Sequence, residues 1–201
     1  MGSLTEAELV SRVTMEGREH IDAALSGGRG AIIAVPHMGS WDMAGSYAGV
    51  VGYRVSGVAE RFPGSLNDAV VRTRQRFGVT VIMLGHSAVR AITQALQANG
   101  VVALLCDLEQ GPGVKVRFFG HSAVVPGGPA AIALKTGAPL LPAYQYSTSP
   151  GRHIVHLEPA LAPAEGETKT SLMQRVVDHF ESFIRERPDQ WYAFRPMFAK
   201  G

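Results

Sequence analysis

Short apolar runs recur along this chain, most of them bounded by Gly or Pro and separated by segments whose apolar positions follow helical spacing. Gly30 to Val35 is the first such strand, and it leads into a polar loop that opens a helix rich in small residues, through Ala44, Gly45 and Ala48. Tyr53 to Val58 alternates as a second strand, Val79 to Leu84 is a third, and Val101 to Leu105 is a fourth. The fourth is apolar at every position, as expected at the centre of a parallel sheet. Helices are predicted between them over Leu66 to Phe77, stopped by Gly78, and over Ala88 to Gln97, closed by Asn99-Gly100. Lys115 to Phe119 is a short strand. Pro129 to Thr136 is a helix with Pro in its first turn and Gly137 just past its end.

Leu140 to Tyr146 and His153 to Leu157 are late strands, the second paired with the first as an edge hairpin. Ser171 to Arg187 is a terminal helix, with Leu172, Val176, Val177, Phe180, Phe183 and Ile184 on one face. Ahead of the first strand, Glu6 to Leu25 reads as one amphipathic helix ending at Gly27-Gly28. The alternation of strands and helices predicts an α/β fold, with a mainly parallel central sheet flanked by helices. No internal repeat interrupts the chain, and Ala162 to Gly166 reads as a surface loop, so residues 1–201 are expected to form a single domain.

Composition narrows the function. Of 201 residues, 46% are hydrophobic and 18% charged, enough for a sizeable core, and the net charge of +2 gives no sign of a nucleic-acid partner. Cys106 is the one cysteine, which excludes an intramolecular disulfide and a multi-cysteine metal site; its apolar setting predicts a buried structural thiol. The histidines are scattered, with no H-E-x-x-H pattern, and no metal is expected. No G-x-G-x-x-G follows a strand and no G-x-S-x-G elbow is present, so nucleotide oxidoreductase and serine hydrolase chemistries lack support. The first twenty residues lack a signal-peptide pattern, and no apolar stretch reaches the roughly 20 residues that span a bilayer. The expectation is a protein in solution or resting on a membrane surface.

The segment Pro36-His37-Met38-Gly39-Ser40-Trp41-Asp42 is the strongest chemical signal. It follows the first strand, at the sheet edge where open α/β folds place their chemistry. The spacing lets the Asp42 carboxylate turn back onto the His37 ring, hold one tautomer and stabilise the imidazolium. That suits a general base acting on a substrate hydroxyl. The same residues also serve as an ordinary helix start. Asp107 and Glu109 follow the fourth strand at the same sheet edge, either as groups that orient a hydroxyl or pair with an arginine, or as a solvated turn.

Arg72 and Arg76 share a helix face and Arg74 points elsewhere; they are phosphate ligands or a solvated face. The Gly/Pro turn Val124-Val125-Pro126-Gly127-Gly128-Pro129-Ala130 enters a helix and offers N–H groups around Gly128 for an anion or oxyanion, or is there for packing.

Taken together and in order, these segments resemble the lysophospholipid acyltransferase-like superfamily. The carriers are the block Gly30 to Gly45, then Glu60-Arg61, Arg74-Gln75-Arg76-Phe77-Gly78, Asp107-Leu108-Glu109-Gln110-Gly111-Pro112, Val116 to Gly120 and Pro126 to Pro142. The resemblance runs from Gly17 onward. It falls in the branch holding the bacterial lipid A lauroyl/myristoyl acyltransferases and the actinobacterial phosphatidylinositol mannoside acyltransferases, and is closer to the latter. The Asp107-Leu108-Glu109 order is more similar to the lipid A members, and the region before the first strand is shorter than family members usually carry.

The resemblance implies a glycerolphosphate acyltransferase-like fold and O-acyl transfer from acyl-CoA or acyl carrier protein to a glycolipid hydroxyl. No cofactor is implied beyond the acyl-CoA donor. His37 would be the base, Asp42 its orienting acid and Asp107 a second functional acid. Arg74 and Arg76 would lie near substrate phosphates, with Glu109, Trp41 and Gly128 as further substrate contacts. Peripheral attachment to the cytoplasmic face of the cell membrane is also implied. A non-catalytic lipid- or acyl-CoA-binding domain and a thioesterase are the alternatives.

Overall fold

A computed structural model describes residues 4–61, 63–110 and 113–193. The strands are β1 (Val13–Glu16), β2 (Ala31–Val35), β3 (Val55–Ala59), β4 (Val79–Met83), β5 (Val101–Leu105), β6 (Gly113–Phe118), β7 (His121–Pro126), β8 (Leu140–Ser149) and β9 (Arg152–Leu157). The helices are α1 (Glu6–Arg12), α2 (Arg18–Ser26), α3 (Trp41–Val50), α4 (Ser65–Arg76), α5 (Ala88–Gln97), α6 (Gly128–Thr136) and α7 (Lys169–Glu186). Seven strands form one sheet in the order β1-β9-β8-β2-β5-β3-β4, and β6 and β7 form a separate antiparallel hairpin. Strands β8, β2, β5, β3 and β4 run parallel, as the apolar runs predict.

Apolar residues cover both faces of the sheet. On one side Ile32, Ala34, Val102 and Leu140 pack with α5, α6 and α7; Leu172, Met173, Val176, Val177 and Phe180 of α7 are completely buried there. On the other side Ala31, Ile33, Val35 and Val101 pack with Leu9, Ile21, Met43 and Phe77 from the first four helices. Fully buried β2 and half-buried β5 are thus sandwiched, which holds their carboxyl ends rigidly side by side.

Three expectations need correction. Glu6 to Leu25 is not one helix: it breaks into α1, β1 and α2. Val13 to Glu16 pairs in parallel with His153 to His156 of β9, and ladder bonds to that distant strand outweigh local helix propensity. Gly17 then turns the chain at φ +72°, where a Cβ would collide with the Leu157 carbonyl. The β8–β9 hairpin forms as predicted, but it is not the edge, because β1 covers β9. Val124 to Pro126, read as part of a turn, is the end of strand β7.

Candidate active site

Register decides which side chains meet. Strands β2 and β5 pair in parallel with Val35 opposite Leu105. The ladder continues one step further, the Cys106 N–H donating to the Val35 carbonyl at 3.1 Å. His37 and Asp107 each lie two residues past the paired ends, so they emerge level on adjacent strands. Asp107 is fully buried, and its carboxylate turns to the His37 loop. Its Oδ1 lies 2.6 Å from His37 Nδ1, and its Oδ2 accepts the His37 backbone N–H at 3.0 Å. A carboxylate only accepts, so Nδ1 carries the hydrogen and Nε2 is left as the basic ring nitrogen.

The partner of His37 is therefore Asp107 and not Asp42, against the reading from spacing. Asp42 lies in the first turn of α3, where the helix dipole favours an acid. Its Oδ1 accepts from Arg74 Nε at 2.7 Å, tying α3 to the last turn of α4. Arg74 is mostly buried by that pairing and is not among the described residues that line the cavity beside His37. Arg76 also points away from it, donating from Nη2 to the Leu4 carbonyl at 2.7 Å. Gly128, the first residue of α6, does not line the cavity either.

The cavity has a volume of about 430 Å³ and is lined by His37, Trp41, Glu60, Leu108, Glu109, Gln110 and Tyr192. Of the sequence candidates, His37, Trp41 and Glu109 meet here. Trp41 packs edge-on against His37 and against Tyr192, with ring centroids 5.6 and 5.9 Å apart. Gln110 donates from Nε2 to Glu60 Oε1 at 2.5 Å, joining the loop after β5 to the end of β3. No Lys or Arg lines the cavity among the described residues. Cys106, beside Asp107, is buried as expected; loss of solvent and then the Asp107 charge push its thiol well above the usual range.

The segment after α7 went unread in the sequence, and it completes the site. Trp191 Nε1 donates to Asp107 Oδ2 at 2.8 Å. Met38 and Trp191 form an antiparallel bridge; the Gly39 N–H donates to the Gln190 carbonyl at 3.0 Å and the Tyr192 N–H to the His37 carbonyl at 2.7 Å. The Gln190 side chain bonds both the N–H and the carbonyl of Ser147 on β8. The available signal was Trp191 itself, one of two tryptophans in the chain, just beyond a helix end.

A hydrogen-bonded histidine–carboxylate pair, opening on a cavity at the carboxyl edge of a parallel sheet, is an arrangement for proton transfer. Residues 3–200 match the profile of a family described as bacterial lipid A biosynthesis acyltransferase. The chain belongs to that family. It is 34% identical over 187 residues to the phosphatidylinositol mannoside acyltransferase of Mycobacterium tuberculosis, a match covering 90% of this chain and 58% of that protein. It is 33% identical over 186 residues to the protein of the same name from Mycolicibacterium smegmatis, covering 90% of this chain and 60% of that protein. The chain thus spans about three fifths of the length of the curated relatives it matches.

Proposed function

We propose that this protein transfers a long-chain acyl group from an acyl thioester to a hydroxyl of a glycolipid such as a phosphatidylinositol mannoside. The observation that carries this reading is the His37–Asp107 pair, which engages Nδ1 on a histidine that lines the cavity. Nε2 takes the proton of the acceptor hydroxyl as its oxygen attacks the thioester carbonyl. Asp107 stabilises the imidazolium without taking the Nδ1 proton. The tetrahedral intermediate expels the thiolate, which recovers the proton from Nε2, leaving an ester and a free thiol. The acceptor oxygen is itself the nucleophile, so no acyl-enzyme forms, and the two substrates supply everything the step needs.

The lining supports a sugar as the acceptor group. Glu60, Glu109 and Gln110 offer hydroxyl-binding oxygens and an amide, and Trp41 and Tyr192 offer ring faces and edges. Its volume lies within the roughly 300–1,000 Å³ of small-molecule sites. The donor is acyl-CoA or acyl carrier protein. The protein works at the cytoplasmic face of the cell membrane as a peripheral component; none of the described helices is long and apolar enough to cross it.

The test mixes the protein with radiolabelled long-chain acyl-CoA and phosphatidylinositol mannoside in mixed micelles. The expected result is label in an acylated glycolipid, and a loss of at least about 100-fold in His37→Ala with an unchanged circular dichroism spectrum. Fatty acid released equally with and without acceptor would make the protein a thioesterase, and His37→Ala activity within a few-fold of wild type would remove the proposed base.

A further inference from the structure

We infer that Trp191 is a positioning residue for the His37–Asp107 pair, holding the buried carboxylate so that Oδ1 faces the imidazole. The inference rests on the proposed role of His37 as the base. Asp107 is fully buried, and a buried carboxylate must be satisfied by donors. Its oxygens receive three in the structure: His37 Nδ1–H at Oδ1, and the His37 N–H and Trp191 Nε1–H at Oδ2. Two donors converging on Oδ2 fix the rotation of the carboxylate plane. With the peptide N–H alone, the group pivots about Oδ2 and its aim at Nδ1 is lost.

The indole suits this task better than a cation would. An arginine at the same place would neutralise Asp107 and weaken its hold on the imidazolium formed during proton transfer. Indole N–H is a donor without charge and cannot accept. Its own placement is fixed from three sides. The backbone of 190–192 is bonded to Met38, Gly39 and His37, and Gln190 anchors the segment on β8. The ring packs beside Phe118 and Phe119 of the β6–β7 hairpin, with centroids 5.7 and 5.9 Å away.

The other titratable groups around the pair stand elsewhere. Glu60, Glu109 and Tyr192 line the cavity, Asp42 is bonded to Arg74, and Cys106 is buried beside Asp107. At Oδ2 the two N–H donors, from His37 and Trp191, converge.

The experiment uses the His37 Nδ1 proton resonance of the whole protein without substrate, so it reads out even if acyl transfer is not the activity. Two variants are made: Trp191→Phe, and replacement of Trp191 by β-(3-benzothienyl)alanine, an isostere in which sulfur replaces N–H and the packing is kept. In wild type the short bond to Asp107 gives a far-downfield signal, absent in Asp107→Asn. In both Trp191 variants that signal broadens by solvent exchange and moves upfield. In transfer assays both lose about tenfold in kcat, with KM within about twofold, and the loss disappears in an Asp107→Asn background. A signal unchanged in position and width in the folded isostere overturns the inference, as does a loss of kcat that adds fully to that of Asp107→Asn. If Trp191→Phe fails to fold, the isostere alone decides. Absence of transfer in the wild type, with the resonance behaving as described, would fault the proposed function and leave the positioning intact.

Discussion

Asp42 Oδ1 lies 2.7 Å from Arg74 Nε, an ion pair that binds the first turn of α3 to the last turn of α4. The two acids after the site strands therefore hold different posts. Asp107 serves the imidazole, and Asp42 fastens two helices on the flank of the site.

Their substitutions should separate. In the proposed mechanism Asp107→Asn removes the carboxylate that stabilises the imidazolium, and turnover should fall by about 10²–10⁴ with the fold retained. Asp42→Asn lowers the melting temperature with a smaller loss of turnover. Because the pair is partly open to solvent, a double-mutant cycle with Arg74→Ala should give a coupling of about 1 kcal/mol or less. Steady-state kinetics and thermal denaturation of the same set of variants check both halves.

Gly39 adopts φ +59°, and a Cβ there would run into the Gln145 carbonyl. Gly39→Ala should cost at least about 2 kcal/mol, because left-handed backbone and a backbone collision act together. Urea denaturation measures it, and the loop carrying His37 should lose hydrogen-exchange protection first.

Cys106 is completely buried, and burial with the neighbouring Asp107 charge pushes its thiol up. It should therefore resist a disulfide reagent at pH 8 for as long as the protein is folded. Labelling in native buffer is expected at the rate of opening, and at full speed in guanidinium. Fast native labelling would contradict this burial.

His153 is held below its usual value, first by burial and then by the charge of Arg12. The unfolded chain thus binds the His153 proton more readily than the folded one. Stability from this group is complete above about pH 6.5 and is lost as pH falls below it, down to the folded value. His153→Gln should flatten the stability slope just below about pH 6.5. Chemical denaturation midpoints across that range give the slope.

How much could be read without coordinates depended on how local each determinant is. The α5 and β5 boundaries agree with the structure to the residue, since Ile92 and Leu96 repeat at helical spacing and Val101 to Leu105 is an unbroken apolar run. Strand β1 was hidden because only its ladder with β9, some 140 positions away, makes Val13 to Glu16 extended. The His37–Asp107 partnership stayed open for the same reason. Spacing of five residues favoured Asp42, whereas strand order puts β5 beside β2 and brings residue 107 to residue 37. The shared sheet edge was legible, and the neighbour relation across it was not. Trp191 offered only its rarity as a signal, since its meaning lies in one bond to a distant carboxylate.

The Gln190–Tyr192 segment follows all nine described strands along the chain. A nascent chain that has folded its sheet still lacks the piece that clasps the histidine loop. The histidine loop therefore takes its final shape later than the sheet that carries it.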